Sequence, residues 1–588
     1  MPKAADILVD TLAAWGVDTI FGLAGDGING IMEALRTRQD RIRFIPVMHE
    51  ESAAFMATAH AKWTGRLGCC LATSGPGGLH LLNGLYDAKL DMAPVVAITG
   101  LQFHDMLDSF SQQDVNLDRV FEDVAVYNAR VMGAAHVEST TSLACRSALA
   151  RRGVAHLTVP VDVQEEPLGE DHASDRNKPH HVSHVPAQGV VTPRAEDVAA
   201  AADILNGARR VAILAGRGAL GARAELERTA ELLGAPVAKA LLGKAVLPDD
   251  HPMTTGTIGL YGTFGTHHAM ENCDALLIVG SAFPYVEYYP RPGQARCVQI
   301  DRDPQRISLR HPAEVGLVGD AGAALEALNA RLTRKADRSF LEATQAEAAR
   351  WRETLRHGAE SQRVPMHPGA PVAALSALLP PDAVVVTDSG HNTGLAARYL
   401  RMQPGHEFGV SGLLASMGCG LPYAIAAALA FPGRPVFAVV GDGGLGMQLG
   451  EFATAVRLRL PIKVLVLANG TLGQIKWEQM LFLGNPEFGC DLPRIDFARA
   501  AEAMGGRGFQ VSEPGRLGAV LREALATEGP VIVEAAVDPN EPLLPAKMTE
   551  KFSRNLESAL QQGTAGAEEL RAALAREPAR AMMEAKGK

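Results

Sequence analysis

Pro435-Val436-Phe437-Ala438-Val439-Val440-Gly441-Asp442-Gly443-Gly444, with Asn469-Gly470-Thr471-Leu472-Gly473 downstream, decides how this chain folds. The apolar run Pro435–Val440 reads as a buried parallel strand delivering Asp442 to its C-terminal tip. Ile462–Leu467 reads as a second strand delivering Asn469 to its own tip. Helical spacing over Gln448–Leu458 joins the two into a β-α-β crossover. Ligands of such sheets bind beyond the carboxyl ends of the strands. One carboxylate (Asp442), one amide oxygen (Asn469) and one loop carbonyl (Thr471) make three corners of an octahedral oxygen site for a hard dication. Phosphate oxygens and water complete it. Glycines at Gly441, Gly443 and Gly444 let the backbone approach a diphosphate closely. Alone, Gly-Asp-Gly-Gly is an ordinary turn; its strand-helix-strand distance from Asn469 gives it meaning.

The 588 residues predict about three or four domains. A net charge of −10, with no offsetting basic cluster, argues against a nucleic-acid partner. Seven scattered cysteines form no CxxC or Cys/His spacing, which excludes a disulfide framework and a zinc site and fits a reducing cytosol. Met1-Pro2-Lys3 leads into an amphipathic helix rather than a signal-type apolar core. No apolar stretch reaches the ~20 residues that span a bilayer. The expected location is cytoplasmic.

Apolar strands alternate with helices over residues 1–165 (Arg43–Val47, Gly68–Ala72, Val95–Thr99, Val154–Val159). Residues 166–190 are a polar break, and its His180, His181 and His184 are read as a solvated linker rather than a metal tract. A second α/β unit spans 191–335, with strands at Val211–Ala215, Ala275–Val279 and Cys297–Ile300. A charged helical connector (336–365) leads to a third unit at 366–545, and a charged, Ala-rich tail with Pro578 occupies 546–588. The fold class expected is α/β, three doubly wound parallel-sheet domains.

In the first unit, the strand Phe44–Met48 ends in His49-Glu50-Glu51 and runs into the helix Ser52–Trp63. Thr73-Ser74-Gly75-Pro76-Gly77-Gly78 follows as a glycine-rich turn, with Asn83 and Asp87 on the next helix. Taken with Gly441–Gly444 and Asn469, these segments resemble the thiamine diphosphate (ThDP) enzyme family. The likeness is strongest to the pyruvate oxidase and quinone-reducing pyruvate dehydrogenase branch, related to acetolactate synthase. It covers residues 1–545 in the order pyrimidine-binding, central FAD-type and diphosphate-binding domain. One departure is Ala468, where the family usually carries a first asparagine; Asn469 keeps the metal-binding place.

The resemblance implies ThDP and Mg2+, with Asp442, Asn469 and Thr471 as metal ligands. It implies that Glu50 hydrogen-bonds the aminopyrimidine and promotes loss of the thiazolium C2 proton. A carboxyl in an apolar pocket has the raised proton affinity that job needs. Gly75, Asn83, Gly441, Gly443, Gly444, Thr471, Gly473 and Ile475 are implied to line the cofactor, and Met417, in Ser416–Gly420, to prop it into a bent shape. Gln113 and Glu478 are implied at the reaction centre, with Ile475, Trp477 and Glu478 facing the substrate pocket. Gln112 stands where the family has a phenylalanine that shapes the acetyl pocket. In the central unit, Gly216, Gly243, Gly280, Ser281, Asp301 and Asp320 are similar to an FAD-binding series.

The implied reaction is decarboxylation of a 2-oxo acid, pyruvate, with oxidation through FAD to acetate or acetyl phosphate. An acetolactate-synthase-like carboligase with structural FAD is the alternative. The intact set Glu50, Asp442 and Asn469 argues against a non-catalytic paralogue. Self-association as a homodimer or homotetramer is implied, the Glu50 domain of one subunit meeting the Asp442 domain of another. Quinone-reducing members dock on membranes through the C-terminal segment. Here Leu570 and Leu574 have helical spacing, but aromatics are few and Pro578 interrupts. Weak membrane affinity at most is therefore expected, with a helix closing over the active site or left in solvent as the other reading.

Overall fold

The computed structural model describes residues 1–169, 173–177, 181–187, 189–564 and 566–576; His180 and Pro578 lie outside these. Three six-stranded sheets, each parallel throughout, make an α/β fold. The first contains β1 (Thr19–Gly22), β2 (Arg43–Pro46), β3 (Gly68–Ala72), β4 (Val95–Leu101), β5 (Ala125–Arg130) and β6 (Val154–Pro160). Its order is β2-β1-β3-β4-β6-β5. The central sheet contains β7 (Val211–Ala215), β8 (Val237–Lys239), β9 (Thr254–Thr257), β10 (Ala275–Val279), β11 (Arg296–Asp301) and β12 (Val315–Val318). The third contains β13 (Val384–Thr387), β14 (Glu407–Gly409), β15 (Val436–Gly441), β16 (Ile462–Ala468), β17 (Arg507–Val511) and β18 (Val531–Ala536).

The order of the third sheet, β14-β13-β15-β16-β18-β17, repeats that of the first. Both reverse direction between their first and third strands, and such a switch point opens a crevice at the carboxyl edge. The central sheet runs β9-β8-β7-β10-β11-β12, the dinucleotide-binding order with its switch point between β7 and β10. The strands at these centres are buried along their whole length, so they read as unbroken apolar runs rather than alternations.

The first and third units share one hydrophobic core, in which Phe55, Ala59 and Leu85 pack with Tyr423, Ala427 and Phe452. Lys62 lies in the same contact. Its ammonium donates to Asp91 (2.5 Å), Tyr423 (2.6 Å) and Asp87 (3.1 Å), and Asp91 also accepts from the backbone of Gly412 and Leu413. Arg217 of the central unit donates to the Asp91 carbonyl, so all three units meet there.

One sequence reading needs correcting. Gln448–Leu458 is not one helix: Asp442–Gln448 and Glu451–Arg457 are separate. The described helices of the tail are packed against the third unit rather than left in solvent. Leu556, Leu560, Leu570 and Leu574, from helices Glu550–Gln561 and Ala567–Arg576, are buried against Trp477, Met480 and Leu481. Among the described residues no helix is long and apolar enough to cross a membrane. All seven cysteines are buried and unpaired.

Lys62→Met leaves Asp87 and Asp91 buried without their counter-charge and is expected to cost about 3–5 kcal/mol. Lys62→Met/Asp87→Asn/Asp91→Asn removes the stranded charges and should recover most of that loss. Thermal unfolding of both variants against the parent checks this.

Candidate active site

Register places the third-unit residues. Gly441 of β15 pairs with Leu467 of β16, so Asp442 and Asn469 leave the sheet side by side. Asp442 starts a helix rather than a loop, and its carboxylate accepts from Gly470 (2.7 Å) and Gly443 (2.9 Å). Burial raises its proton affinity against the opposing pull of those N–H groups. The Asn469 side-chain oxygen is turned into the same loop, accepting from Thr471. Oxygen donors from a carboxylate, an amide and a loop therefore gather at one strand edge, a set suited to Mg2+.

Across the switch point stand residues the sequence reading missed. Asp388, Ser389, His391 and Asn392 follow β13, where Val384-Val385-Val386-Thr387 and a following Gly390 give a strand-turn-helix signal of the same kind as Gly441–Gly444. Among the described residues, the Ser389 hydroxyl and His391 Nε2 are buried without a hydrogen-bond partner. A Cβ on Gly473 would fall 2.8 Å from the His391 ring and 3.0 Å from the Asn469 amide, so both side chains flank this glycine. Burial holds the His391 imidazole down at about 4, so it is neutral and can still donate through one nitrogen. Unspent donors beside an oxygen-ligand cluster suit a diphosphate chelated to a cation.

Asp388 supports this floor. It accepts from the N–H groups of Ser389, Gly418 and Gly420 at 2.7–3.1 Å, and full burial still pushes its carboxyl up to about 6. Gly444 packs directly on it: a Cβ there would lie 2.9 Å from the Asp388 carboxyl carbon. Met417 reaches the same turn, its Cε 3.2 Å from where a Cβ of Gly443 would be.

In the first unit Glu50 is the first residue of the helix Glu50–Thr64, capped by His49. Its side chain is nearly buried and bonds His80 Nδ1 at 2.9 Å. Gly75, at φ +60°, turns the chain so that Gly77 faces Glu50 and Gln113 packs over Gly75; Gln113 accepts from Ser74 at 2.7 Å. Asn83 bonds Glu51 and Ser416, beside Met417. Glu51 also accepts from Gln448 at 2.9 Å. A second residue missed from sequence, Glu451, accepts from the backbone of Met48 (2.8 Å) and His49 (3.0 Å), so the third unit fixes the loop that carries Glu50. His49, Glu50 and His80 offer ligand atoms within 4.8 Å of one another, but two nitrogens do not suit Mg2+.

In the central unit, Gly216 and Gly280 meet at the switch point. A Cβ on Gly216 would come 2.4 Å from the Gly280 carbonyl oxygen and 2.6 Å from Ser281, and one on Gly243 would strike Gly216. Asp301 ends β11 with its carboxyl raised by burial. Asp320 is already engaged, accepting from Val191 (2.7 Å) and pairing with Arg302 (3.2 Å). Glu478 accepts from Gln474, which is also reached by Tyr261 of the central unit at 3.3 Å. Ile475 is exposed, whereas Trp477 is buried against the tail.

Family models for thiamine pyrophosphate enzymes match the chain three times: the N-terminal TPP binding domain at residues 2–120, the central domain at 198–328 and the C-terminal TPP binding domain at 388–535. The chain is 39% identical over 546 residues, 93% of each chain, to a putative thiamine pyrophosphate-containing protein YdaP of Bacillus subtilis. It is 33% identical over 553 residues (93% of this chain, 90% of the relative) to a pyruvate oxidase of Lactiplantibacillus plantarum. It is 30% identical over 566 residues, 93% and 97% of the two chains, to acetolactate synthase isozyme 3 large subunit of Escherichia coli. The chain belongs to the thiamine pyrophosphate enzyme family.

For this thiamine pyrophosphate enzyme, Asp388 carries a pH signature. Its folded carboxyl titrates near 6 and an unfolded one near 3.8. Between those values the folded state holds the extra proton, so this residue's contribution to stability falls as pH rises through the window, by up to about 3 kcal/mol. The difference in unfolding free energy between parent and Asp388→Asn, followed from pH 4 to 7, should change in that window and stay flat above it.

Proposed function

We propose that the protein catalyses ThDP- and Mg2+-dependent decarboxylation of a 2-oxo acid, pyruvate by resemblance. Bound FAD would take up the two electrons, and the acetyl group would pass to water as acetate or to inorganic phosphate as acetyl phosphate. Bound ThDP would supply a thiazolium as the nucleophile and electron sink for loss of CO2 from the 2-oxo acid. Asp442, the Asn469 oxygen and the Thr471 carbonyl would hold the metal, with Ser389 and His391 donating to the diphosphate. Met417 would support the cofactor from below, and Glu50 would share a proton with its aminopyrimidine. Gln113 and Glu478 would orient the substrate. Bound FAD would take up two electrons on the Gly216–Gly280 cradle, with Gly243, Ser281 and Asp301 around it. The domain limits proposed are 1–165, 191–335 and 366–545.

The observation that carries the redox reading is the Tyr261–Gln474–Glu478 contact. Through it, the unit with the dinucleotide strand order and the helix Gly473–Glu478 share a wall, so an electron acceptor in one would neighbour the reaction in the other. Similarity to acetolactate synthases, and Gln112 in place of an aromatic residue, favour the second reading, a carboligase in which FAD stays oxidised. Anaerobic pyruvate added to FAD-loaded protein separates them. Flavin bleaching with acetate or acetyl phosphate is expected, whereas 2-acetolactate with an unchanged flavin spectrum would support the carboligase.

Self-association belongs to the same proposal. Met48, Met106 and Phe110 expose apolar surface on the unit of Glu50, and Met447, Ile475 and Phe488 do so on the unit of Asp442. A second copy would cover both faces. Asp442→Ala, which removes the anionic metal ligand, is expected to weaken Mg2+-dependent ThDP binding by at least about 100-fold, since even an outer-shell partner contributes about 10–100-fold. Calorimetric titration of metal-depleted protein with ThDP and Mg2+ measures it.

A further inference from the structure

We propose that His80 is the proton conduit of Glu50, carrying protons between that buried carboxyl and solvent; this rests on the role proposed for Glu50 above. The Glu50 side chain is 8% exposed and that of His80 is 46% exposed. Among the described residues, the one hydrogen bond of the Glu50 side chain is to His80 Nδ1, at 2.9 Å. The neighbouring acids cannot substitute. Glu51 is held by Asn83 and Gln448, and Glu451 by the Met48 and His49 backbone and Thr454.

His49 keeps the conduit aligned. Its Nδ1 accepts from the Glu51 N–H at 3.2 Å, which places its own proton on Nε2 and fixes one neutral tautomer. Its ring stacks on His80 with centroids 4.4 Å apart and planes 28° from parallel. That stack holds His80 with Nδ1 toward Glu50, and His80 Nε2 has no protein partner among the described residues.

The transfer balances with two states of one hydrogen bond. In the first, protonated Glu50 donates from Oε2 to bare Nδ1 while Nε2 carries the ring proton. The carboxyl proton moves to Nδ1 as Nε2 releases its proton to water. In the second state, Nδ1–H donates to the Glu50 carboxylate and Nε2 is bare. One proton has left Glu50 and one has entered solvent, with heavy atoms in place. The return path reverses each step.

The test uses the full chain loaded with ThDP and Mg2+. Cofactor affinity and the rate of C2 hydrogen-to-deuterium exchange, by acid quench and NMR, are measured for the parent, Glu50→Gln and His80→Gln. His80→Gln can still bond Glu50 but cannot relay a proton. It is expected to keep the parent's ThDP affinity and to slow exchange at least about tenfold, short of the roughly 10²–10⁴-fold of a lost acid–base group. Added imidazole should restore its rate in a concentration-dependent way and leave Glu50→Gln unchanged. Parent-like exchange in His80→Gln, a slow rate that imidazole does not raise, or a loss of ThDP affinity would overturn the conduit while leaving Glu50 in its role. Parent-like exchange in Glu50→Gln would overturn both.

Discussion

The Lys62 ammonium, closed in by Asp87, Asp91 and Tyr423, is the contact on which the arrangement of the molecule depends. Its components come from the first and third units, and Arg217 ties the central unit to the same aspartate backbone. Removing charges from water costs several kcal/mol per ion, so the cluster adds little net stability over a well-packed apolar contact. What it adds is discrimination. A slide of one unit across another strands a charge, whereas the surrounding alanine-rich helices would tolerate the slide. Glu451 and Gln448 extend that control to the chemistry, because the segment bearing Glu50 takes its backbone partners from the unit bearing Asp442.

Much of the fold was legible because parallel strands buried on both faces leave continuous apolar runs. Gly68–Ala72, Val211–Ala215 and Ala275–Val279 match the strands read from sequence residue for residue. Asp442 and Asn469 were findable because a crossover fixes their spacing. Asp388, Ser389 and His391 stand at the matching strand tip across the switch point yet passed unnoticed, since their strand is four residues long and its tip lacks a repeated glycine. Glu451 was unreadable for a different reason: its partners are backbone groups 403 and 402 residues away in sequence, and no local pattern records such a pairing. A tail lying on the protein was only one of the readings the sequence left open, because Leu570 and Leu574 make a thin apolar stripe, adequate against a prepared surface though poor for a membrane.

The acids of the site share a physical scheme. Asp388, Asp442 and Glu451 are each withdrawn from water and each faces backbone N–H groups rather than lysine or arginine. Backbone dipoles stabilise negative charge without bringing a mobile cation into the cavity. The three acids thus keep the local positive charge low.

One turn of π-helix, Gln479–Leu483, continues the helix Gly473–Glu478 and ends with carbonyl groups that its own ladder does not fully satisfy. Asn555 donates to Leu481 and Phe482, and Gln562 to Gly484, across 74, 73 and 78 residues of chain. Chains emerge from the ribosome N-terminus first. The helix bearing Glu478 therefore leaves the exit tunnel well ahead of its caps, and its last carbonyls gain these partners only once Asn555 and Gln562 have been translated.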